Sequence, residues 1–162
     1  MILGIGAGWF EKDYDEYGYE FGTAPDRLRA LRRDLPLIKQ RLQKLNPPPP
    51  GPMPILIGGG GEQVTLRLVA EHAQMWHSFG DPERYQHKSA ILAEHCAKVG
   101  RDPGEIERIW SSGPNTIEHA DAFAEAGVQE VELGIGGDGR NYDLGPVREL
   151  VQWRDERGRR ES

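Results

Sequence analysis

Cysteine is nearly missing from this chain: Cys96 is the one thiol in 162 residues. A single thiol closes no internal bridge and builds no zinc cluster, so neither disulfides nor cysteine-held metal can stand in for a hydrophobic core. Its helical surroundings predict a small core or boundary residue. Long apolar runs are missing too. Nothing approaches the roughly 20 consecutive apolar residues of a membrane-spanning helix. Gly4, Gly6 and Gly8 break the only apolar opening before acidic residues follow, which is not a signal-peptide pattern. The expectation is a soluble cytoplasmic protein. Basic charge is in the minority, with 20 Lys and Arg against 26 Asp and Glu for a net charge of −6. That balance argues against nucleic acid as the main partner, and Arg154, Arg157, Arg159 and Arg160 make only a small basic tail. No histidine pair has the H-E-x-x-H spacing and Ser111-Ser112 lacks a G-x-S-x-G frame, so neither a metal site nor serine hydrolysis is expected. Hydrophobic residues make up 37% of the chain. That is low for a complete globular domain, although the length suits a single one.

What the chain does have is glycine, concentrated at Pro54-Ile55-Leu56-Ile57-Gly58-Gly59-Gly60-Gly61-Glu62. Three aliphatics in a row read as a short strand buried on both faces, and Val64, Leu68 and Val69 mark the apolar side of a helix that follows. Four residues without a Cβ between strand and helix let a phosphate approach backbone N–H groups at the positive end of the helix. The same glycines also suit a plain tight βα turn. Their order is neither the P-loop nor the dinucleotide fingerprint.

In chain order, Ile2 to Trp9 reads as a buried strand entering a glycine turn, and Glu11 to Tyr17 as a short helical turn. Thr23-Ala24-Pro25-Asp26 is a helix start. Leu28, Leu31, Leu35, Ile38, Leu42 and Leu45 then form an amphipathic stripe that Pro36 should kink, at about 3 kcal/mol unless neighbours compensate. Asn46-Pro47-Pro48-Pro49-Pro50-Gly51-Pro52 reads as an extended polyproline connector, its place between a helix and a strand favouring that over an SH3-type ligand. Met75 to Phe79 reads as a strand, and Asp81-Pro82-Glu83 caps a helix using Tyr85, Ile91, Leu92, Cys96 and Val99 that stops at Gly100. Ile106 to Ser111 and Val128 to Ile135 read as strands, and Ile117 to Ala126 and Pro146 to Arg157 as helices, the last with Val147, Leu150 and Val151 inward.

Five βα units in succession predict a parallel sheet, either doubly wound or part of a (β/α)8 TIM barrel. In both, chemistry gathers at the carboxyl ends of the strands. These are Gly6 to Trp9, Gly58 to Glu62, His77 to Gly80, Ser111 to Asn115 and Gly134 to Asn141. His77 is the histidine at such an end, suited to acid/base work near pH 7 or to a plain hydrogen bond in a pocket. His72, His87, His95 and His119 fall in helical patterns, where solvent or boundary placement is the default. Gly136-Gly137-Asp138-Gly139 sits where barrels often keep a phosphate, but Asp138 is unhelpful to an anion. Glu11, Asp13, Asp15 and Glu16 read as a solvated face.

With those ends in view, Leu3-Gly4-Ile5-Gly6-Ala7-Gly8-Trp9, then Tyr14, Glu16, Tyr17 and Gly18, then Arg27, resembles the central strand and loop of luciferase-like monooxygenases. Pro54 to Glu62, Ala73 to His77, and His95 to Ile106 with Gly100-Arg101-Asp102-Pro103 look like the subgroup using the deazaflavin coenzyme F-420. The resemblance implies part of a (β/α)8 barrel and hydride transfer between the reduced coenzyme and a small organic substrate. FMN-dependent monooxygenation is the alternative within the family. Gly6, Ala7 and Gly8 would border the flavin ring, and Gly58, Gly59, Gly60 and Gly61 would hold the phosphate-bearing tail. Some relatives have a carboxylate proton donor or acceptor where this chain has Trp9, which is expected to wall the ring or substrate pocket unless it is an ordinary core aromatic. The resemblance starts near the family's fourth strand. It therefore implies a single domain over 1–162 that is amino-terminally truncated relative to the family, with two unpaired sheet edges. A homo-oligomer covering those edges, or a remnant without catalysis, are the other outcomes.

Overall fold

The computed structural model describes residues 1–113 and 116–160. Pro114 and Asn115, the far end of the fourth expected strand turn, lie outside the described residues. In chain order the elements are β1 (Leu3–Ile5), α1 (Glu11–Tyr17), α2 (Ala24–Leu42), β2 (Ile55–Gly58), α3 (Thr65–His72), β3 (Met75–Phe79), α4 (Pro82–Val99), β4 (Glu107–Ser111), α5 (Ala120–Glu125), β5 (Glu130–Val131) and α6 (Gly145–Arg160). The strands form one parallel sheet in the order β1-β2-β3-β4-β5.

That sequential order has a consequence for the faces. Each crossover between neighbouring parallel strands is right-handed, so when the order never reverses every helix falls on the same side. A doubly wound sheet needs a reversal, and the described strands have none. Burial follows the rule. Ile55 and Ile57 of β2, Trp76 of β3 and Trp110 of β4 join Leu31 and Leu35 of α2, Leu66, Leu68 and Val69 of α3, Tyr85, Leu92 and Cys96 of α4, and Phe123 of α5 in one core. Its centre is aromatic, with Trp110 edge-on to both Trp76 (5.3 Å) and Tyr85 (5.1 Å). Fully burying side chains of this size contributes about 1.5–3 kcal/mol each. The opposite face carries Leu56, Gly58, Met75, His77, Phe79, Ile109 and Ser111, by alternation and register. It is the face that a closed barrel turns inward.

Local chemistry sets the helix ends as expected. Thr23 and Asp26 form a reciprocal capping box at the start of α2. Asp81 Oδ1 accepts from Arg84 N–H at the start of α4, and Gly100 closes that helix in the left-handed region (φ 68°). The α2 helix continues through Pro36 with Leu35 fully buried beside it. Cys96 is wholly buried, as a core residue.

Three expectations are corrected. The opening strand is not buried: among the described strands β1 is an edge strand of three residues, and Gly4, in register with Leu56 on the helix-free face, is exposed. The fifth strand is Glu130–Val131, not Val128 to Ile135. Alternation assigns faces, but a strand also needs a neighbour, and β4 ends at Ser111, so beyond the Glu132 N–H to Trp110 O bond (2.8 Å) none remains among the described residues. Finally, no α6 side chain among the described ones is buried, and Val151 is exposed. That helix follows the shortest strand, so little sheet lies beneath it. It is tied instead by Trp153 Nε1 donating to Asp121 Oδ1 at 2.7 Å.

Candidate active site at the carboxyl ends of the strands

The four-glycine turn begins where β2 stops. Gly59 has φ 118°, a conformation side chains rarely adopt, and its N–H donates to His77 O at 2.9 Å. Its carbonyl accepts Trp76 Nε1 at 2.9 Å, so the core itself grips the turn. Further along, the need for glycine is one of space: a Cβ on Gly60 would lie 3.0 Å from Ser78 Oγ, and one on Gly61 would lie 2.9 Å from Thr65 Oγ1. Helix α3 starts after Val64 without a side-chain cap. Among the described residues, the N–H groups of Gly60, Gly61 and Glu62 donate to no protein acceptor. Unpaired donors in a turn that leads into a helix suit an anion.

A second feature was missed in the sequence because it spans two helices' worth of chain. Lys88 of α4 lies beside Gly60, only 13% exposed, and is ion-paired with Glu62 Oε1. His87 Nε2 is 3.1 Å from the same oxygen, and His95 Nε2 donates to Glu62 O at 2.8 Å. The hydrogen bond from Lys88, then that from His87, holds the Glu62 carboxyl below its usual range. His87 and His95 are therefore not idle surface groups. The only signal in the sequence was their i, i+1 and i+8 spacing with Lys88 on one helix.

His77 lies on the helix-free face beside Gly58, its register partner. It borders an open cavity of about 380 Å³ lined also by Phe79, Gly80, Ser111, Ser112, Gly113 and Glu132. His77 Nε2 is 2.8 Å from Glu132 Oε2, at ion-pair distance but without the alignment of a hydrogen bond. Glu132 was absent from the expected site because the fifth strand was carried four residues too far. Gly136 to Gly139 lie past its end in a loop, where Asp138 accepts from the Arg140 and Asn141 N–H groups rather than facing an anion.

The first glycine motif is brought against the second: a Cβ on Gly6 would meet Gly58 O at 3.6 Å. Ala7 packs on the edge of the core, and Gly8, at φ 75°, offers its carbonyl to Arg27 Nε at 3.1 Å. Arg27 stacks over Phe21 at 3.7 Å and also donates to the carbonyls of Phe21 and Gly22. Trp9 is 83% exposed, against Phe10 and outside the lining of the His77 cavity. It is not a core aromatic.

The family model for luciferase-like monooxygenases matches residues 1–160. The chain belongs to the luciferase-like monooxygenase family. This luciferase-like chain is 27% identical over 169 aligned residues to an uncharacterized protein of Mycobacterium bovis, and equally to one of Mycobacterium tuberculosis. Those matches take in 93% of the chain but 55% of each relative, so the chain spans about half the length of the curated relatives it matches. Among solved structures, an F420-dependent secondary alcohol dehydrogenase in complex with an F420-acetone adduct aligns at TM-score 0.69 and 13% identity, covering 81% of this chain and 62% of that one. The coenzyme F420-dependent tetrahydromethanopterin reductase of Methanopyrus kandleri aligns at 0.52 and 18%, over 72% and 43%. The EDTA monooxygenase of Chelativorans sp. BNC1 aligns at 0.53 and 14%, over 80% and 47%. At these identities the likeness is one of fold. With the five parallel βα units it makes the luciferase-like chain a partial (β/α)8 barrel.

Proposed function

We propose that the chain serves an oxidoreductase that uses the deazaflavin coenzyme F-420, with hydride passing between the reduced coenzyme and a small organic substrate. The observation that carries this is the Gly58 to Gly61 turn, in which the N–H groups of Gly60 and Gly61, with that of Glu62, donate to no described acceptor, beside Lys88. These groups suit the phosphate-bearing tail of the coenzyme, since oriented donors and one cation meet a phosphate without a dedicated loop. Glu62 is the one group of the wrong sign there, and its charge is already answered by Lys88 and His87. Gly6 and Gly58 lie side by side with no side chain between them, which suits the approach of a planar ring to the backbone.

When bound, the deazaflavin supplies the carbon that gives or takes the hydride. The chain's own residues would anchor the tail, hold the ring against glycine backbone, and present His77 to the substrate at the next strand. Trp9 would close the outer side of the ring or substrate pocket. The named solved structures that act with F420 support the deazaflavin over FMN, and the EDTA monooxygenase keeps the FMN alternative in play.

A second reading is favoured by the open sheet. With β1 and β5 as edges and one face without helices, a second copy covering the exposed strands is a natural complement, and a chain that holds no flavin alone is the other outcome. Fluorescence titration of the 162-residue chain with coenzyme F-420 and separately with FMN, paired with size-exclusion chromatography, tests both. Saturable binding is expected, tighter for F-420. A folded, monodisperse chain that binds neither would remove the deazaflavin reading.

A further inference from the structure

Charge is not spread evenly along this acidic chain. Helix α2 carries Arg27, Arg29, Arg32, Arg33, Lys39 and Arg41 against Asp26 and Asp34. Leu31 and Leu35 turn one side of it into the core, and its outer side bears an open groove of about 770 Å³ lined by Asp26, Arg29, Ala30, Arg32, Arg33 and Pro36. Arg29 pairs with Asp26 and Arg33 with Asp34, both pairs at the surface, while Arg32 has no ion pair among the described residues. Exposed pairs of this kind hold weakly and can be exchanged for a better partner.

The opposite charge is gathered just before. Glu11, Asp13, Asp15, Glu16 and Glu20 lie in α1 and the turn after it, with Lys12 the one cation among them. All five carboxylates are exposed, and none makes an ion pair among the described residues. Tyr17 and Tyr19 stand between them, each 71% exposed. Only Tyr14 faces inward, its ring edge-on to Phe21 at 5.0 Å. Six residues separate α1 from α2, yet no α1 residue lines the α2 groove. The reason is Arg27, which donates to the carbonyl of Gly8 before α1 and to those of Phe21 and Gly22 after it, so both ends of the segment are pinned. The acidic helix is thus held off the basic groove of its own chain.

We propose that the α2 groove receives the α1 segment of a second copy, and that the exchange is reciprocal. Asp13 and Glu16, neighbours on one helical face, would meet Arg29, Arg32 and Arg33, and the Tyr17 ring would lie against a guanidinium plane. Tyrosine and arginine are residue types on which interfaces concentrate their binding energy. The two elements adjoin in sequence, so one two-fold axis sets both contacts side by side. No strand edge takes part, and the contact is independent of the flavin and of the oxidoreductase reading. Two chains of net charge −6 repel at long range, so this pair must hold by local opposite charges and weaken as salt screens them. Pairing through apolar strand edges would do the opposite.

The test is sedimentation velocity on the 162-residue chain. A dimer is expected whose dissociation constant rises tenfold or more when salt goes from about 0.05 M to about 0.5 M. Arg32→Glu with Arg33→Glu makes both contacting surfaces acidic, and Asp13→Lys with Glu16→Lys makes both basic. Each double variant alone should dimerise about tenfold more weakly or worse, and an equimolar mixture of the two should regain close to the original affinity. Circular dichroism and urea midpoints near those of the parent chain confirm that both variants fold. A parent chain that stays monomeric, a dimer that tightens with salt, variants that dimerise as the parent does, or folded variants whose mixture stays monomeric would each overturn the assignment.

Discussion

The indole N–H of Trp76 donates to the carbonyl of Gly59 at 2.9 Å, so a wholly buried core side chain holds the first residue of the glycine turn after β2. The next strand repeats the device. Trp110 Nε1 donates to the carbonyl of Gly80, the first residue after β3, at 3.0 Å. In both cases the tryptophan sits on the helix-side face of one strand and reaches the loop leaving the previous strand. Core packing and site geometry are thereby coupled.

Trp76→Phe keeps an aromatic ring in the core but removes the N–H and part of the volume. Urea unfolding should show a loss of about 1–3 kcal/mol, from the small cavity and the unmet Gly59 carbonyl. F-420 affinity should fall with it, as the turn loses its grip. Wild-type affinity in a destabilised but folded variant would uncouple the indole from the site.

A negative charge in the glycine turn should repel the coenzyme's phosphate, but the position matters. Gly59 has positive φ, and Gly60 and Gly61 are crowded, so substitutions there add strain. A Cβ on Gly58 meets nothing within 4 Å. Gly58→Asp should leave the unfolding midpoint nearly unchanged and lower F-420 affinity by roughly tenfold or more. Unchanged affinity would remove the phosphate assignment.

Glu62 occupies the cation that an incoming phosphate would use. Pairing with Lys88 and His87 depresses the Glu62 carboxyl, so the contact is complete at neutral pH and is lost only as pH falls through that lowered value. Glu62→Gln should release Lys88 and tighten binding of F-420 several-fold, and Lys88→Met should weaken it by about tenfold. Isothermal titration at pH 7.5 distinguishes the two, and the same direction of change in both variants would refute the competition.

His72 is held toward its neutral form by burial first and by the Lys39 charge second, against a smaller opposing pull from Glu71. Its Nδ1 atom is buried without a partner. A folded-state value below the unfolded one means the unfolded chain takes up the proton first, so stability is full above the ordinary value of 6.5 and declines as pH falls below it. His72→Gln should flatten the slope of Tm between pH 7 and pH 5. An unaltered slope would assign acid sensitivity elsewhere.

The Cys96 thiol is fully buried, and burial pushes it above its ordinary value. An aromatic disulfide reagent should react with the native chain only on the timescale of unfolding, and within seconds in denaturant. Rapid native reaction would show that α4 opens locally.

Much of the architecture was legible because it is written in short-range chemistry. Thr23, Asp26, Asp81 and Gly100 mark helix ends by side-chain caps and a left-handed residue, which need no distant partner. The run Ile55-Leu56-Ile57 and its four glycines announce a strand, a turn and a helix start, and β3 is found at Met75 to Phe79 as read. Five βα units and a His77 at a strand's carboxyl end follow from the same local patterns.

Other features depend on what lies beside a residue rather than on its neighbours in sequence. Whether Val128 to Ile135 makes eight residues of strand or two is decided by where β4 stops, since ladder hydrogen bonds need a second chain segment. Whether Ile2 to Trp9 is buried depends on the absence of a strand outside β1 among the described residues. Lys88 meets Glu62 across 26 residues, and Glu132 meets His77 across a whole intervening strand. Sequence alone therefore determined the elements, their order and the glycine turn, because caps, turns and periodicity act over a few residues. Only the tertiary structure decided which face stays bare and which charges meet at its rim, because parallel register sums distances that no local pattern encodes.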